Sequence, residues 1–204
     1  MSPLLEYYRM VYNRVVAAGY QSEINWCKDM TTFDDCTPIQ FFNEYVWCVL
    51  NTGMKEQVAR KIYDRFMEIG NTETIGHLGK RAAIKRGIVE YPQWFRMLQG
   101  APDKIEYLET LPWIGKITKY HLARNIGIDC VKPDRHLVRL AEQMGFKSPL
   151  DMCLEIQKGY THERLGTIDV VLWRDCKNFY RSGGDKAPCG SCSYRIKELK
   201  ELLK

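Results

Sequence analysis

The fold is decided by one stretch, LPWIGKITKYHLA at residues 111–123, which lies between two predicted helices. Pro112 ends the first helix because it cannot continue the hydrogen-bond ladder, and Gly115 allows a bend that a side chain would obstruct. The next helix starts with N–H groups that have no intrahelical acceptor, and Lys116 and Lys119 flank them. The stretch therefore predicts a tight hairpin between two helices. Such a hairpin would bind a phosphate of a nucleic-acid backbone without reading the base sequence.

A second informative stretch, IDCVKPDRHLVR at residues 128–139, follows directly. Pro133 restricts the residue before it to an extended conformation. Asp134 then takes the N-cap position of a helix, where its carboxylate accepts hydrogen bonds from unpaired N–H groups. Taken by itself, capping is the commoner role for such an aspartate, and a catalytic carboxylate is the alternative.

The rest of the chain is also predicted to be helical, so the fold class is all-α. Helices are predicted at residues 3–18, 38–51, 54–69, 72–79, 80–87, 91–100, 102–111, 116–126, 134–145, 148–158, 161–180 and 193–203. In the helix at 54–69, the spacing predicts one buried face made of Val58, Ile62, Phe66 and Ile69. The segment at 168–173 is rich in β-branched residues but keeps its apolar face at helical spacing, which favours a buried helix.

The composition is that of a globular chain, since 45% of its 204 residues are hydrophobic and 12% are aromatic. No apolar run reaches the length of about 18 residues that a membrane-spanning helix requires. The first sixteen residues carry charges and tyrosines where a secretory signal needs an apolar block. We therefore expect the protein to have no membrane partner and to lie in the cytoplasm, associated with the nucleoid, or in a nucleus. It is also expected to be a monomer.

The net charge of +5 is unevenly distributed. Residues 1–50 contain three basic and six acidic side chains, whereas residues 111–139 contain six basic and two acidic ones. A polyanion would meet the second region and avoid the first; the alternative is a solvated charged helix face.

Together, the two stretches resemble the helix-hairpin-helix superfamily of DNA glycosylases, whose motif is a hairpin with a Gly/Pro-rich loop followed by an aspartate. The resemblance is strong for LPWIGKITKYHLA (111–123) and VKPDRHLVRLA (131–141). It extends more weakly to FFNEYVWCVLNTGMKEQVARKIYDRF (41–66), GTIDVVLWR (166–174) and APCGSC (187–192).

The resemblance implies one two-lobed domain over residues 1–204, with a cleft that holds Asp134. One helical lobe would comprise about residues 35–140, and the other residues 1–34 and 141–204, including the cysteine-containing loop. Family members bind double-stranded DNA through the hairpin and flip one nucleotide, because the glycosidic bond is inaccessible inside the base stack. Asp134 occupies the position of the family's aspartate, which stabilises positive charge on the sugar and orients or deprotonates the attacking water.

Further site residues follow from the resemblance. The residues expected to contact DNA are Pro112, Trp113, Gly115, Lys116, Thr118, Lys119 and Lys132. In the loop at 51–54, Asn51 or Met54 would fill the gap left by the flipped base, or the loop is an ordinary helix–helix turn. The aromatic residues Tyr45, Trp47, Tyr120 and His136 are candidates for the base pocket, with packing in the core as the alternative.

Two departures from the family pattern refine the expected activity. Bifunctional members carry a Schiff-base lysine two residues after the second hairpin glycine, and here that position is Ile117. A monofunctional glycosylase without strand-nicking activity is therefore expected. Trp113 replaces the first hairpin glycine and either contacts DNA or packs against a neighbouring helix.

The eight cysteines are expected to be reduced. Iron–sulfur members of the family have four cysteines, of which Cys189 and Cys192 match the middle pair, while Ser182 and Glu198 occupy the outer positions. No metal or other cofactor is therefore the favoured interpretation. The alternatives are an iron–sulfur cluster and zinc held with Cys176 and Cys153.

The favoured function is removal of a damaged or enzymatically modified base, leaving an abasic site. The alternatives are an enzyme of the same superfamily that rewrites hypermodified thymine in phage DNA, by pyrophosphate loss or transfer, and a non-catalytic DNA-binding module. The sequence specifies neither the base nor the opposite base, and it leaves repair, defence against phage and phage metabolism open as biological roles.

Overall fold

The computed structural model describes residues 2–179, and all regular elements in that range are helical. The α-helices are α1 (Pro3–Ala17), α2 (Gln21–Lys28), α3 (Pro38–Asn51), α4 (Glu56–Ile69), α5 (Leu78–Gly100), α6 (Lys104–Glu109), α7 (Thr118–Asn125), α8 (Arg135–Gln143), α9 (Pro149–Gly159) and α10 (Leu165–Phe179). Short 3-10 turns occur at Phe33–Asp35 and Thr72–Thr74. Over these residues, none of the helices combines the length and apolar character needed to cross a bilayer. The predicted all-α class is confirmed, and the predicted helix at 193–203 lies outside the described residues.

The chain divides into two compact units. The central unit is Thr31–Ile128, and the end unit consists of the described residues up to Met30 and from Asp129 onward. The second boundary lies earlier than the predicted position near residue 140, so Asp134 belongs to the end unit. The reason is that Leu137 and Leu140 of α8 are fully buried in the core of the end unit.

Helix α10 is the central element of the end unit, where it packs against α1, α2, α8 and α9. Its predicted helical conformation is confirmed, and Ile168 and Val171 are fully buried in the same core as Tyr7 and Val11 of α1. Packing of an amphipathic face thus outweighs the β-strand propensity of this segment.

Helix α3 is the central element of the central unit, where it packs against α4, α5 and α7. It begins with a capping box in which the hydroxyl of Thr37 accepts from the N–H of Gln40, whose side chain accepts from the N–H of Thr37. Residues 45–50 are all buried, because the sequence of this helix is apolar on most sides.

Helix α5 is longer than the sequence predicts. Separate helices at 80–87 and 91–100 were expected, but one helix of 23 residues continues through Pro92. Proline removes one hydrogen bond and usually kinks or ends a helix. Here Ala83 before the proline and Trp94 after it are both buried in the central unit, so packing on both sides compensates for the lost bond.

Two further expectations about the helices were wrong or incomplete. In α4 the buried side chains are Ala59 and Phe66. Phe66 belongs to the predicted face, whereas Val58 and Ile69 of that face are 46% and 53% exposed, so the buried stripe is narrower than predicted. Helix α2 was not predicted, because its eight residues are mostly polar and carry no side-chain cap. Only Ile24 and Cys27 anchor it in the core.

Candidate functional site

The predicted hairpin is present between α6 and α7, and its tight bend is at Trp113. Of the described residues, Trp113 is the only non-glycine with a positive φ, at 67°. Such a conformation costs a side-chain-bearing residue about 1–3 kcal/mol. Glycine adopts this conformation without such a cost, so the bend at Trp113 has a backbone shape that is typical of glycine.

The indole of Trp113 packs against the first turn of α5. A Cβ atom added to Gly79 would lie 2.4 Å from Cζ3 of this ring, and the His77 ring meets the indole edge-on at 5.0 Å between centroids. Trp113 remains 40% exposed. Packing against a neighbouring helix is therefore observed, and an outer part of the side chain is left to solvent.

We expect Gly79→Ala to lower the free energy of unfolding by roughly 1–3 kcal/mol relative to Gly100→Ala, because the added methyl group would overlap the rigid indole. Gly100 is the matched control, since it ends the same helix and a Cβ there meets nothing within 4 Å. Urea denaturation of both variants measures the difference. When Trp113→Ala is already present, Gly79→Ala should no longer lower the free energy of unfolding. A loss of stability that persists would contradict the packing of Trp113 against Gly79.

Gly115 does not have the predicted role in the bend. Its φ is not positive, and a Cβ added there would meet no atom within 4 Å. In the described part of the chain, the N–H groups of Gly115, Lys116, Ile117 and Thr118 donate to no protein acceptor, and α7 has no side-chain cap. These groups form an open set of donors at a helix N-terminus, which is where anions bind.

Lys119 is not available as a cation for phosphate, contrary to the prediction. It is only 6% exposed, and its Nζ donates to Glu106 Oε1 and Glu109 Oε2 of α6, at 2.6 Å each. Hydrogen bonds to these carboxylates raise the pKa of Lys119 above its usual range. The side chain therefore joins α6 to α7, and the exposed Lys116 remains as the hairpin cation.

If the hairpin binds DNA, Lys116→Ala should reduce the slope of log affinity against log salt concentration by about one, because one phosphate contact is lost. Lys158→Ala is the control, since Lys158 is also exposed but forms an ion pair with Glu155 in α9. Fluorescence anisotropy with a labelled duplex at several salt concentrations measures both slopes. Equal slopes in both variants and the parent protein would remove Lys116 from the interface.

The loop that follows α3 is held by a buried lysine that the sequence analysis missed. Nζ of Lys80 donates to the carbonyl oxygens of Leu50 and Thr52, at 2.7 Å each, and burial lowers the pKa of this amine. Lys80 is adjacent to Gly79, against which Trp113 packs. The loop carrying Asn51 and Met54 and the hairpin therefore both contact the first turn of α5.

The local geometry of Asp134 gives its two carboxylate oxygens different roles. Oδ1 accepts hydrogen bonds from the N–H groups of His136 and Leu137, at 2.8 and 3.1 Å. Oδ2 makes no hydrogen bond to the described residues, and the side chain is partly exposed. The predicted N-cap is confirmed, and one oxygen is left for another partner.

The segment before Asp134 is also fixed. The N–H of Asp134 donates to the carbonyl of Lys132 at 2.8 Å across Pro133, and the N–H of Lys132 donates to Oδ2 of Asp169 at 2.6 Å. Sequence reasoning missed Asp169, although a charged residue inside the apolar run IDVVLW is an unusual feature. The side chain of Lys132 is partly exposed.

Two of the four candidate pocket aromatics are core residues. Tyr45 is fully buried, and its hydroxyl donates to the carbonyl of Pro112 at 2.9 Å, so it anchors the hairpin to α3. Trp47 is buried against Tyr63, and the Arg60 guanidinium lies 3.9 Å from its ring centroid. Neither side chain is open to a base.

The other two aromatics are partly exposed. Tyr120 belongs to α7 in the central unit, whereas His136 is in the first turn of α8 in the end unit. The structure assigns neither of them to a pocket, so their role at the base stays a prediction.

The predicted metal-site cysteines Cys189 and Cys192 lie outside the described residues. Cys153 and Cys176, suggested as further zinc ligands, are buried in the apolar core of the end unit. Burial raises the pKa of the Cys153 thiol well above its usual value. Among residues 2–179, no group of three or more His, Cys, Asp or Glu side chains is arranged to hold a metal ion.

Comparison of the chain with protein-family models, curated proteins and solved structures finds no match.

Proposed function

We propose that the chain is a monofunctional DNA N-glycosylase that flips a damaged or modified base from duplex DNA and hydrolyses its N-glycosidic bond. The observation that carries the proposal is the divided role of the Asp134 carboxylate. One oxygen is fixed by two backbone N–H groups and the other makes no hydrogen bond to the described chain.

This arrangement suits cleavage of a bond between a sugar and a base. Positive charge develops on the sugar as the bond breaks, and a nearby carboxylate oriented in advance stabilises that charge and binds the attacking water. Ile117 cannot act as a nucleophile, so no lysine-type lyase step is proposed at the hairpin.

The hairpin supplies the binding half of the proposal. Four N–H groups at Gly115–Thr118 and the exposed Lys116 offer donors and charge for a DNA phosphate. The loop carrying Asn51 and Met54 contacts the same turn of α5 as the hairpin does, through Lys80. A duplex held at the hairpin could therefore be contacted by this loop in the same unit.

The test is a panel of duplexes that each carry one modified base, including uracil, oxidised purines, alkylated bases and bulky 5-substituted pyrimidines. The expected result is release of one base and strand cleavage only after alkali, which reveals the abasic site. Strand cleavage without alkali would contradict the monofunctional assignment. Mass spectrometry of the DNA separates excision from a change in base mass with the strand intact, which would favour rewriting of thymine.

A non-catalytic DNA-binding module is the second candidate, because the observed capping bonds of Asp134 are those of an ordinary N-cap. Binding with full salt dependence but without chemistry on any duplex in the panel would favour this candidate.

A further inference from the structure

Asp169 is a buried carboxylate on the helix at the centre of the end unit. It is 2% exposed and lies in α10 between Ile168 and Val170, which are themselves buried. Burying a carboxylate is costly unless it receives hydrogen bonds or an ion pair. Its Oδ2 accepts from the N–H of Lys132, which is 37 residues away in the sequence, at 2.6 Å. The carboxylate therefore fixes a distant, non-helical part of the backbone.

That backbone leads directly to Asp134. Both backbone polar groups of Lys132 are hydrogen-bonded. Its N–H donates to Asp169, and its carbonyl accepts from the N–H of Asp134 at 2.8 Å. Pro133, between them, has a fixed φ and no N–H of its own. The backbone between the residue bonded to the Asp169 carboxylate and Asp134, the N-cap residue of α8, therefore has few degrees of freedom.

We propose that Asp169 is a positioning residue that holds Asp134 in place through the backbone of Lys132; this inference rests on the proposed glycosylase function. Asp169 acts through a backbone bond two residues before the reacting carboxylate. When the bond from Lys132 is lost, the turn at Pro133 relaxes and the free oxygen of Asp134 moves. A shift of about 1 Å in a catalytic group can cost about a hundredfold in rate.

The structure provides a matched control in Asp175. This residue is also on α10 and 1% exposed, but it accepts from Nε of Arg14 in α1 at 2.7 Å. Substitution of either aspartate removes a buried carboxylate from the same helix. Of the two hydrogen bonds described here, the one to Asp169 comes from the segment that leads to Asp134, whereas the one to Asp175 comes from α1.

The experiment compares Asp169→Ala, Asp169→Asn and Asp175→Ala in the full chain, by single-turnover excision and by DNA affinity. We expect Asp169→Ala to slow excision by roughly 10- to 100-fold with unchanged affinity. Asp169→Asn should recover part of the rate, because an amide oxygen can still accept from Lys132. Equal slowing by Asp169→Ala and Asp175→Ala, or a parental rate in Asp169→Ala, would overturn the inference.

Amide hydrogen exchange gives a readout that needs no activity. In Asp169→Ala the amides of Lys132 and Asp134 should lose protection, while in Asp175→Ala both should keep it. If the parent protein excises no base yet this exchange pattern is found, the proposed function fails and the positioning of Asp134 by Asp169 is supported. If the Asp134 amide stays equally protected in Asp169→Ala, the positioning inference fails whatever the activity. Asp169→Asn allows the same measurement should the alanine variant not fold.

Discussion

Asp134→Asn is expected to lower the single-turnover excision rate by about 10²- to 10⁴-fold, the range for loss of a positioned acid–base or charge-stabilising group. The amide has nearly the shape of the carboxylate, but it carries no charge to stabilise the sugar cation and cannot take a proton from water. Its oxygen can still accept from the N–H groups of His136 and Leu137, which now bond to Oδ1. Folding and DNA affinity should therefore remain close to those of the parent protein.

The control for this prediction is a second aspartate at a helix N-cap. Asp103 caps α6 by accepting from the N–H of Glu106 at 3.0 Å, so Asp103→Asn makes the same chemical change at the same kind of position. It should leave excision unchanged. Asp134→Ala removes the cap as well, and it should destabilise the chain by about 1 kcal/mol more than Asp134→Asn. Full excision by Asp134→Asn would leave capping as the sole role of this carboxylate.

The features that the sequence predicted correctly are mostly local. The hairpin at 111–123 and the N-cap at Asp134 are set by residues within one or two turns of each other, and the structure has both. The predicted end of a helix at residue 69 is also correct, and Gly70 follows it as a C-cap with a φ of 70°. Turn and cap chemistry depends on neighbouring residues, so it can be read from the chain directly.

The features that were missed depend on distant partners. Separate helices were predicted at 80–87 and 91–100, and only the burial of α5 on both sides of Pro92 shows why one helix continues. The face that α4 presents to α3 could not be chosen from apolar spacing alone, since the buried stripe is narrow. Packing between elements overrides local preference in both cases.

The candidate site shows the same division. The N-cap role of Asp134 was identified from its local pattern, but the roles of Lys119 and Tyr45 depend on groups that spacing did not identify as partners. Lys119 is bonded to two glutamates of the preceding helix, and the Tyr45 hydroxyl reaches Pro112, 67 residues away. A basic or aromatic residue near a motif therefore indicates which residue types lie close to the site. Only the fold decides whether each of these side chains is exposed.

Gly127→Ala is expected to lower the free energy of unfolding by roughly 3 kcal/mol or more, combining a strained backbone with overpacking. Gly127 has a φ of 93°, and an added Cβ would lie 2.4 Å from the carbonyl oxygen of Thr31 and 2.7 Å from the amide nitrogen of Phe33. These atoms belong to the backbone, so they cannot move aside as a flexible side chain would. The contact joins the two ends of the central unit, which runs from Thr31 to Ile128.

Gly145→Ala separates the two causes. Gly145 has a similar φ of 79°, but a Cβ there would meet nothing within 4 Å. Gly145→Ala should lower the free energy of unfolding only by the cost of the backbone strain, about 1–2 kcal/mol. Urea denaturation of both variants therefore gives the cost of the clash at Thr31 as the difference. If the two variants lose equal stability, the close approach of residues 31–33 to Gly127 does not contribute to the stability of the central unit.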